Sequence, residues 1–177
     1  MRYKLEELID SITDTRIINK DKVILINTSD VENGIVLNHK YVDNNNLKGQ
    51  FKKRFRKGDI LYSEIRPKNK RFAYIDFDSQ DYIASTKLMV LRRKSELIDN
   101  DFLFYILKSD SLINRLQILA ESRSGTFPQI TFDELKRIEV KIPKISDQKR
   151  IVKLLIDIDS KININNQIND NLLNIAW

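Results

Sequence analysis

The chain of 177 residues has no cysteine, one histidine, three prolines and four glycines. Without cysteine there are no disulfides and no thiolate-held metals, and the expected compartment is the cytoplasm. The one histidine, His39 in "LNHKY", gives His-based metal sites and Ser-His triads little to work with and reads as a surface residue. Gly34, Gly49, Gly58 and Gly125 are scattered, so neither a glycine-rich phosphate loop nor a dinucleotide fingerprint can be assembled. No stretch approaches the roughly 18 apolar residues of a membrane span, and the opening "MRYKLEELID" lacks the apolar run of a signal peptide. What is present is 41% apolar and 32% charged residues. That is enough for a buried core, and the length favours one domain with an appendage.

The net charge of +6 is unevenly placed. Residues 48–71 contain ten basic side chains (Lys48, Lys52, Lys53, Arg54, Arg56, Lys57, Arg66, Lys68, Lys70, Arg71) against Asp59 and Glu64 alone. This stretch carries +8 and the remainder of the chain −2. A basic excess confined to one segment is the electrostatic footprint of a polyanion partner, nucleic acid first among them; a solvated lysine-rich face is the plainer alternative.

Patterning predicts a β-rich first half. "VILINTSD" reads as a strand and turn, "ENGIVL" carries the Asn33-Gly34 turn dipeptide, and "ILYSEIRP" is a strand stopped by Pro67. "RFAYIDF" and "KLMVLRR" are further strands, while "YVDNNNLKGQFKKRFRKGD" reads as a loop or ragged hairpin. The period then becomes helical through residues 99–122, broken at Ser109-Asp110-Ser111 into two short helices. A short helix, the strand "RIEVKIP" and a final helix of about 30 residues complete the chain.

The segment "SRSGTFPQITFDELK" joins two of these elements. Thr131 followed by Glu134 makes a capping box with Ile130 and Leu135 as its hydrophobic staple, and Pro128 fixes the approach. Structure alone leaves Ser122, Arg123, Ser124 and Thr126 unexplained: a run of donors beside a positive helix N-terminus, suited to a phosphate or base. Asp59, Glu64 and Arg66 loosely suggest a metal-dependent nuclease, but Asp59 has a ready turn explanation and arginine replaces the needed lysine. Binding is expected, not catalysis, with no metal site.

In the last helix Ile151, Leu154/Leu155, Ile158, Ile162, Ile168, Leu172 and Ile175 form an apolar seam interrupted at Asn165 and Asn166. Four basic and four acidic residues balance there, so it is not the polyanion binder. The seam is too long for a domain of about 140 residues to cover, which implies a partner helix, with Asn165 fixing register. Docking on its own domain is the alternative for the first two turns.

"RKGDILYSEIRP", "STKLMVLRRKSELIDNDFLFYILKSD" and "SGTFPQITFDELKRIEVKIPKISDQKRIVKLLIDIDSKI" together resemble the DNA specificity (S) subunit of type I restriction-modification systems. The resemblance spans nearly the whole chain, and its most specific tract runs "GT-x-P-x-I-x-x-x-x-L-x-x-I-x-V-x-x-P" to "x-x-Q-x-x-I". Such subunits carry two target recognition domains and two spacer helices; here there is one of each, so the chain resembles a half-subunit, natural or cut at Trp177. The resemblance implies an α+β fold: a mixed, β-rich recognition domain (residues 1–145) and a long helix (146–177) in an antiparallel coiled coil with a partner copy.

It also implies a non-catalytic role. The subunit would select the duplex DNA that a partner modification subunit methylates on adenine and a restriction subunit acts on. S-adenosylmethionine would belong to the modification subunit, and no cofactor is expected here. By position Arg66 and residues 124–129 fall where the family's recognition domain faces DNA. A homodimer through the last helix would read an inverted repeat, with half-sites about 10 bp apart.

Lys48, Lys52, Lys53, Arg54, Arg56, Lys57, Lys68, Lys70 and Arg71 are expected on phosphates, with Arg123, Ser124 and Thr126 beside them. Arg66, Gln129 and polar residues of the 43–50 loop suit base edges. Alanine at Lys53 is expected to weaken binding to all sequences and flatten the salt slope; alanine at Arg66, to relax preference. Ile151, Leu155, Ile158, Ile162, Asn165, Ile168, Leu172 and Ile175 are the expected dimer contacts. The competing classes are an RNA-binding or protein-interaction module, although strand alternation lets Phe51, Phe55 and Phe72, interleaved with the cations, face the core as packing, and a truncated regulator that sequesters modification subunits.

Overall fold

The computed structural model describes every residue except Asn46, Lys48, Ser124, Gly125, Ala176 and Trp177, and only the backbone of residues 172–175. The chain opens with β1 (Arg2–Lys4), α1 (Leu5–Leu8), β2 (Ile9–Ser11) and β3 (Lys22–Ile26). Then come β4 (Val31–Glu32), β5 (Ile35–Val36), β6 (Tyr41–Asp43), β7 (Phe51–Lys53), β8 (Ile60–Ser63), β9 (Phe72–Tyr74), β10 (Tyr82–Ser85) and β11 (Leu88–Arg93). The helical part is α2 (Asn100–Leu107), α3 (Asp110–Arg123), α4 (Phe132–Leu135), the strand β12 (Glu139–Lys141) and α5 (Ile145–Ile175). The α+β class expected from the sequence is the one observed.

Two strands set the layering. In β8 and β11 successive side chains alternate between faces. Ile60, Tyr62, Met89 and Leu91 join a core shared with α1, α2 and α3, whereas Leu61, Leu88 and Val90 join one shared with β3 and β10. The sheet β2-β11-β8-β9 is thus the middle layer, with helices on one side and the sheet β6-β3-β10-β7 on the other. Both faces are covered, so these strands read as continuous apolar runs without polar alternation. Full burial of each large apolar side chain here contributes about 2 kcal/mol.

Asn33 (φ +48°) and Gly34 (φ +107°) make the tight β4–β5 hairpin, since both central positions need positive φ. A Cβ on Gly34 would lie 3.0 Å from the Phe104 ring, a second reason for glycine.

Residues 41–59, expected as a loop or ragged hairpin, differ from that reading. β6 pairs antiparallel with β3 and β7 with β10, so they form opposite edges of one sheet and not each other's partner. Strand β10, with no counterpart in the sequence reading, is central and pairs parallel with β3 (Tyr82↔Ile24 to Ala84↔Ile26).

α5 is rooted at two levels. Fully buried Gln148 accepts from the Asp99 N–H through Oε1 (2.8 Å) and donates through Nε2 to the carbonyls of Leu97 (2.8 Å) and Pro143 (2.9 Å). Asp99 is also the N-cap of α2, accepting from the N–H groups of Asp101 and Phe102 (both 3.1 Å). Three turns further along, the Asp159 carboxylate accepts from Tyr105 Oη (2.8 Å) and Lys108 Nζ (2.6 Å). Hydrogen bonding from Lys108, with a smaller part from Tyr105, holds the Asp159 carboxyl below its ordinary range, although partial burial opposes this. Beyond Asp159, residues 160–171 are all exposed. At about 1.5 Å per residue, the rest of α5 projects roughly 24 Å past its last anchor.

Candidate nucleic-acid interface

One end of the middle sheet gathers four segments that lie far apart in the chain. The Ile130 N–H donates to the Glu64 carbonyl (2.8 Å), the Arg66 N–H donates to the Pro128 carbonyl (3.0 Å), and Ile65 bridges Gln129 antiparallel. "PQI" is therefore a short strand laid against "EIR" at the β8–β9 tip. The β10–β11 turn joins through the Glu64 N–H to the Lys87 carbonyl (3.0 Å) and the Thr86 N–H to the Gln50 carbonyl (2.7 Å). Behind them Thr131 starts α4: its N–H donates to Glu134 Oε2 (2.7 Å), and Ile130 and Leu135 are fully buried beneath. The capping box and staple are as read from the sequence.

The tip is held under backbone strain. Arg66 has φ +43° and ψ +77°, in the left-handed region that a side chain makes unfavourable by roughly 1–2 kcal/mol. Pro67 follows at the head of a 3-10 turn, and Gln117, itself buried on α3, accepts from the Lys68 N–H (3.1 Å). The packing thus keeps an exposed arginine in a conformation that glycine would adopt more easily, and strain of this kind clusters at binding sites. Beside it Gln129 Oε1 accepts from Lys87 Nζ (2.9 Å), which also lies 3.7 Å from Glu64. Thr126 is exposed on the same segment.

The expected DNA-facing cations divide by what they touch. Lys52, Arg56, Lys57, Arg66 and Lys68 are exposed and Arg54 is half-buried; among the described residues none of the six forms an ion pair. Lys70 pairs with Asp110 (2.9 Å), Arg71 with Glu32 (3.4 Å) and Arg123 with Glu134 (3.0 Å). Exposed pairs of that kind contribute about 1 kcal/mol or less, so a phosphate can compete for those three cations.

Lys53 is different. Its ammonium donates to the carbonyls of Thr86 (2.8 Å) and Leu88 (2.9 Å), and burial lowers its pKa despite nearby Glu64. It ties β7 to the β10–β11 turn and is not a free phosphate contact. Lys48 and Ser124 lie outside the described residues.

Asp59 is structural. It is 1% exposed, takes a two-pronged ion pair from Arg92 (2.7 and 2.8 Å) and accepts from the Arg56 N–H (2.8 Å). With Glu64 turned to Lys87, no acidic pair converges with Arg66. Among the described residues no group of three or more His, Cys, Asp or Glu could hold a metal. Phe55 and Phe72 are buried and Phe51 packs against Ile18, Val23 and Ile83, so these three aromatics serve the core and not an RNA platform. Sequence reading missed Lys87, Arg16 and Arg92, which lie outside the basic run and enter its neighbourhood only through sheet pairing.

On α5, Ile151, Ile158, Ile162 and Ile168 are between 40% and 51% exposed, and Asn165 is exposed with them. Leu155, expected on the same seam, turns inward instead. It is half-buried and lines a groove together with Phe102, Tyr105, Ile106 and Ile138, continuing the Gln148–Val152 face. Alternating steps of three and four fit either face at that point; Leu154, 61% exposed, takes its place outside. The side chains of Leu172 and Ile175 lie outside the described residues. Among the described residues no helix is long and apolar enough to cross a membrane.

The family model described as the type I restriction modification DNA specificity domain matches residues 1–174. The chain is 44% identical over 154 residues to the type I restriction enzyme HindI specificity subunit of Haemophilus influenzae, covering 87% of this chain and 34% of that protein. A putative type I restriction enzyme specificity subunit, MjaX, of Methanocaldococcus jannaschii is 29% identical over 114 residues, covering 63% of this chain and 27% of that one. Among solved structures, the HsdS subunit from Thermoanaerobacter tengcongensis superposes with a TM-score of 0.76 at 22% identity, covering 95% of this chain and 44% of that one. A type I S subunit from M. genitalium superposes at 0.60 with 18% identity, covering 92% and 40%. The chain therefore spans about a third of the curated relatives it matches and less than half of the solved ones.

Proposed function

The chain belongs to the type I restriction modification DNA specificity family, and from that premise we propose that it is a single recognition module that reads one half of a bipartite duplex site. Two copies, paired antiparallel through the exposed face of α5, read an inverted repeat. They direct a modification subunit, which carries S-adenosylmethionine and methylates adenine, and a restriction subunit to it. This module recognises and does not catalyse.

The observation that carries the reading is the division of α5 into two faces. One, Gln148, Val152, Leu155 and Asp159, is used on the chain's own domain. The other, Ile151, Leu154, Ile158 and Ile162, is apolar and exposed, running along the outside of the docked turns and into the projecting length. A helix that keeps such a stripe beyond its own domain needs another helix against it, and an antiparallel pair places two domains on one side of a duplex. At the tip, Arg66 suits the O6 and N7 of guanine and Gln129 suits adenine, while Lys52 and Lys68 suit phosphates.

Ile158→Asp with Ile162→Asp tests this, because both residues are exposed and the domain fold does not depend on them. The solution mass should fall from two chains to one. Affinity for an inverted-repeat duplex should drop to that for a single half-site, which itself stays unchanged. A wild-type chain that is monomeric at high concentration refutes the pairing.

A further inference from the structure

The basic run is split by the sheet it passes through. β7 starts beside the recognition tip, where Phe51 pairs with Ser85 and the Lys53 side chain reaches Thr86 and Leu88, and it leads away from the tip to Arg54, whose N–H donates to the Asp14 carbonyl (2.7 Å). The four residues of β8 separate Asp59 from Glu64, five Cα steps or about 17 Å of extended chain. Here Arg54, Arg56 and Lys57 meet Arg16 and Arg92, which come from outside the run. Together they line a cleft of about 190 Å³ whose acidic lining is Asp14 and Asp78.

Two of its arginines are pre-oriented. Arg92 grips buried Asp59 through Nε and Nη2, leaving Nη1 without a partner in that pair. Arg16 holds Asp14 in the same side-on way, through Nε (2.9 Å) and Nη2 (2.6 Å). That pair, with Arg54 nearby, holds the Asp14 carboxyl far below its usual range, so Asp14 stays a fixed counter-charge. A guanidinium has five N–H donors, and a two-pronged grip leaves three for another anion. Arg54, Arg56 and Lys57 have no ion pair among the described residues.

We propose that this cleft seats a backbone phosphate of the same duplex, about half a turn from the bases read at the tip. The proposal rests on the DNA-reading function above and adds a second, sequence-blind grip to it. Phosphate is the ligand class because four guanidiniums and the Lys57 ammonium outnumber the acceptors of the lining, where Asp14 is taken by Arg16 and Asp78 by Gln80. The neighbouring donor Ser79 already gives its hydroxyl to the Phe55 carbonyl (2.7 Å). A separation of about 17 Å corresponds to about five base pairs of rise.

The test is the triple variant Arg54→Gln, Arg56→Gln, Lys57→Gln in the full chain, with thermal unfolding to show that it is folded. Arg92 is left intact, since removing it would strand the buried Asp59 charge. Binding to cognate and scrambled duplexes should weaken by the same factor, and the salt slope should fall by about 0.9 for each phosphate lost. Trimming the duplex flank on one side by about five base pairs should weaken the wild type and leave the variant unaffected. Wild-type affinity in the variant, or a loss confined to the cognate sequence, overturns the proposal while leaving the recognition reading in place. If the wild type ignores duplex even at low salt, both readings fall.

Discussion

Replacing Gln148 by alanine tests how α5 is attached. The side chain is fully buried and makes three hydrogen bonds, one from the Asp99 N–H and two to the carbonyls of Leu97 and Pro143. Each is worth about 1 kcal/mol net, and the buried groups left behind add to the loss if water cannot reach them, so about 3 kcal/mol is expected. For a chain of this size that lowers the midpoint of thermal unfolding by about 6–12 °C. Gln148→Glu should be worse, because it turns an acceptor toward two carbonyls where two donors stood. Urea unfolding followed by circular dichroism measures both, with exposed Lys149→Ala as a control expected within about 0.5 kcal/mol. A loss below about 1 kcal/mol for Gln148→Ala would show that the root of the helix lies elsewhere.

The remaining expectations concern the tip and the second anchor. Lys53→Ala should cost about 2 kcal/mol of stability through its two charge-assisted bonds to Thr86 and Leu88, with little change in the salt slope of binding; a lower slope without lost stability would restore it as a phosphate contact. Arg66→Gly should be no less stable than the wild type, since glycine relieves the +43° φ, yet discriminate poorly between duplexes in competition. The Asp159 carboxyl is held below its ordinary 3.8, so its contribution is complete above that value and lost as pH falls through the folded pKa. Amide exchange at residues 155–162 should therefore be pH-independent in its protection through neutrality and weaken only below about pH 4.

Local chemistry was readable without coordinates. The Thr131–Glu134 box, the Asn33-Gly34 turn and the break at Ser109 each depend on a few adjacent residues, and each is present. So was the α+β class, since β8 and β9 carry β-branched and aromatic residues and β11 opens on a continuous apolar run. β10 was not, because "YIAS" is buried along its whole length and shows no alternation. The site followed the same rule. Arg66 and Gln129 were named singly, but the bridge from Ile65 to Gln129 that brings them together spans 64 residues and leaves no local trace. Charge counting found the basic run and could not tell free cations from Lys53, whose partners sit on another strand. It also missed Arg16 and Arg92, which join the run only across the sheet. The α5 seam was ambiguous where its steps of three and four fit both Leu154 and Leu155.

Sedimentation of the wild-type chain with duplexes that carry the same half-site twice, inverted, over a series of gap lengths bears most directly on paired reading of DNA. The account predicts two chains per duplex and one gap at which affinity peaks, with the peak abolished by Ile158→Asp and Ile162→Asp. One chain per duplex at every gap, or equal affinity for a duplex with no repeat, would contradict it.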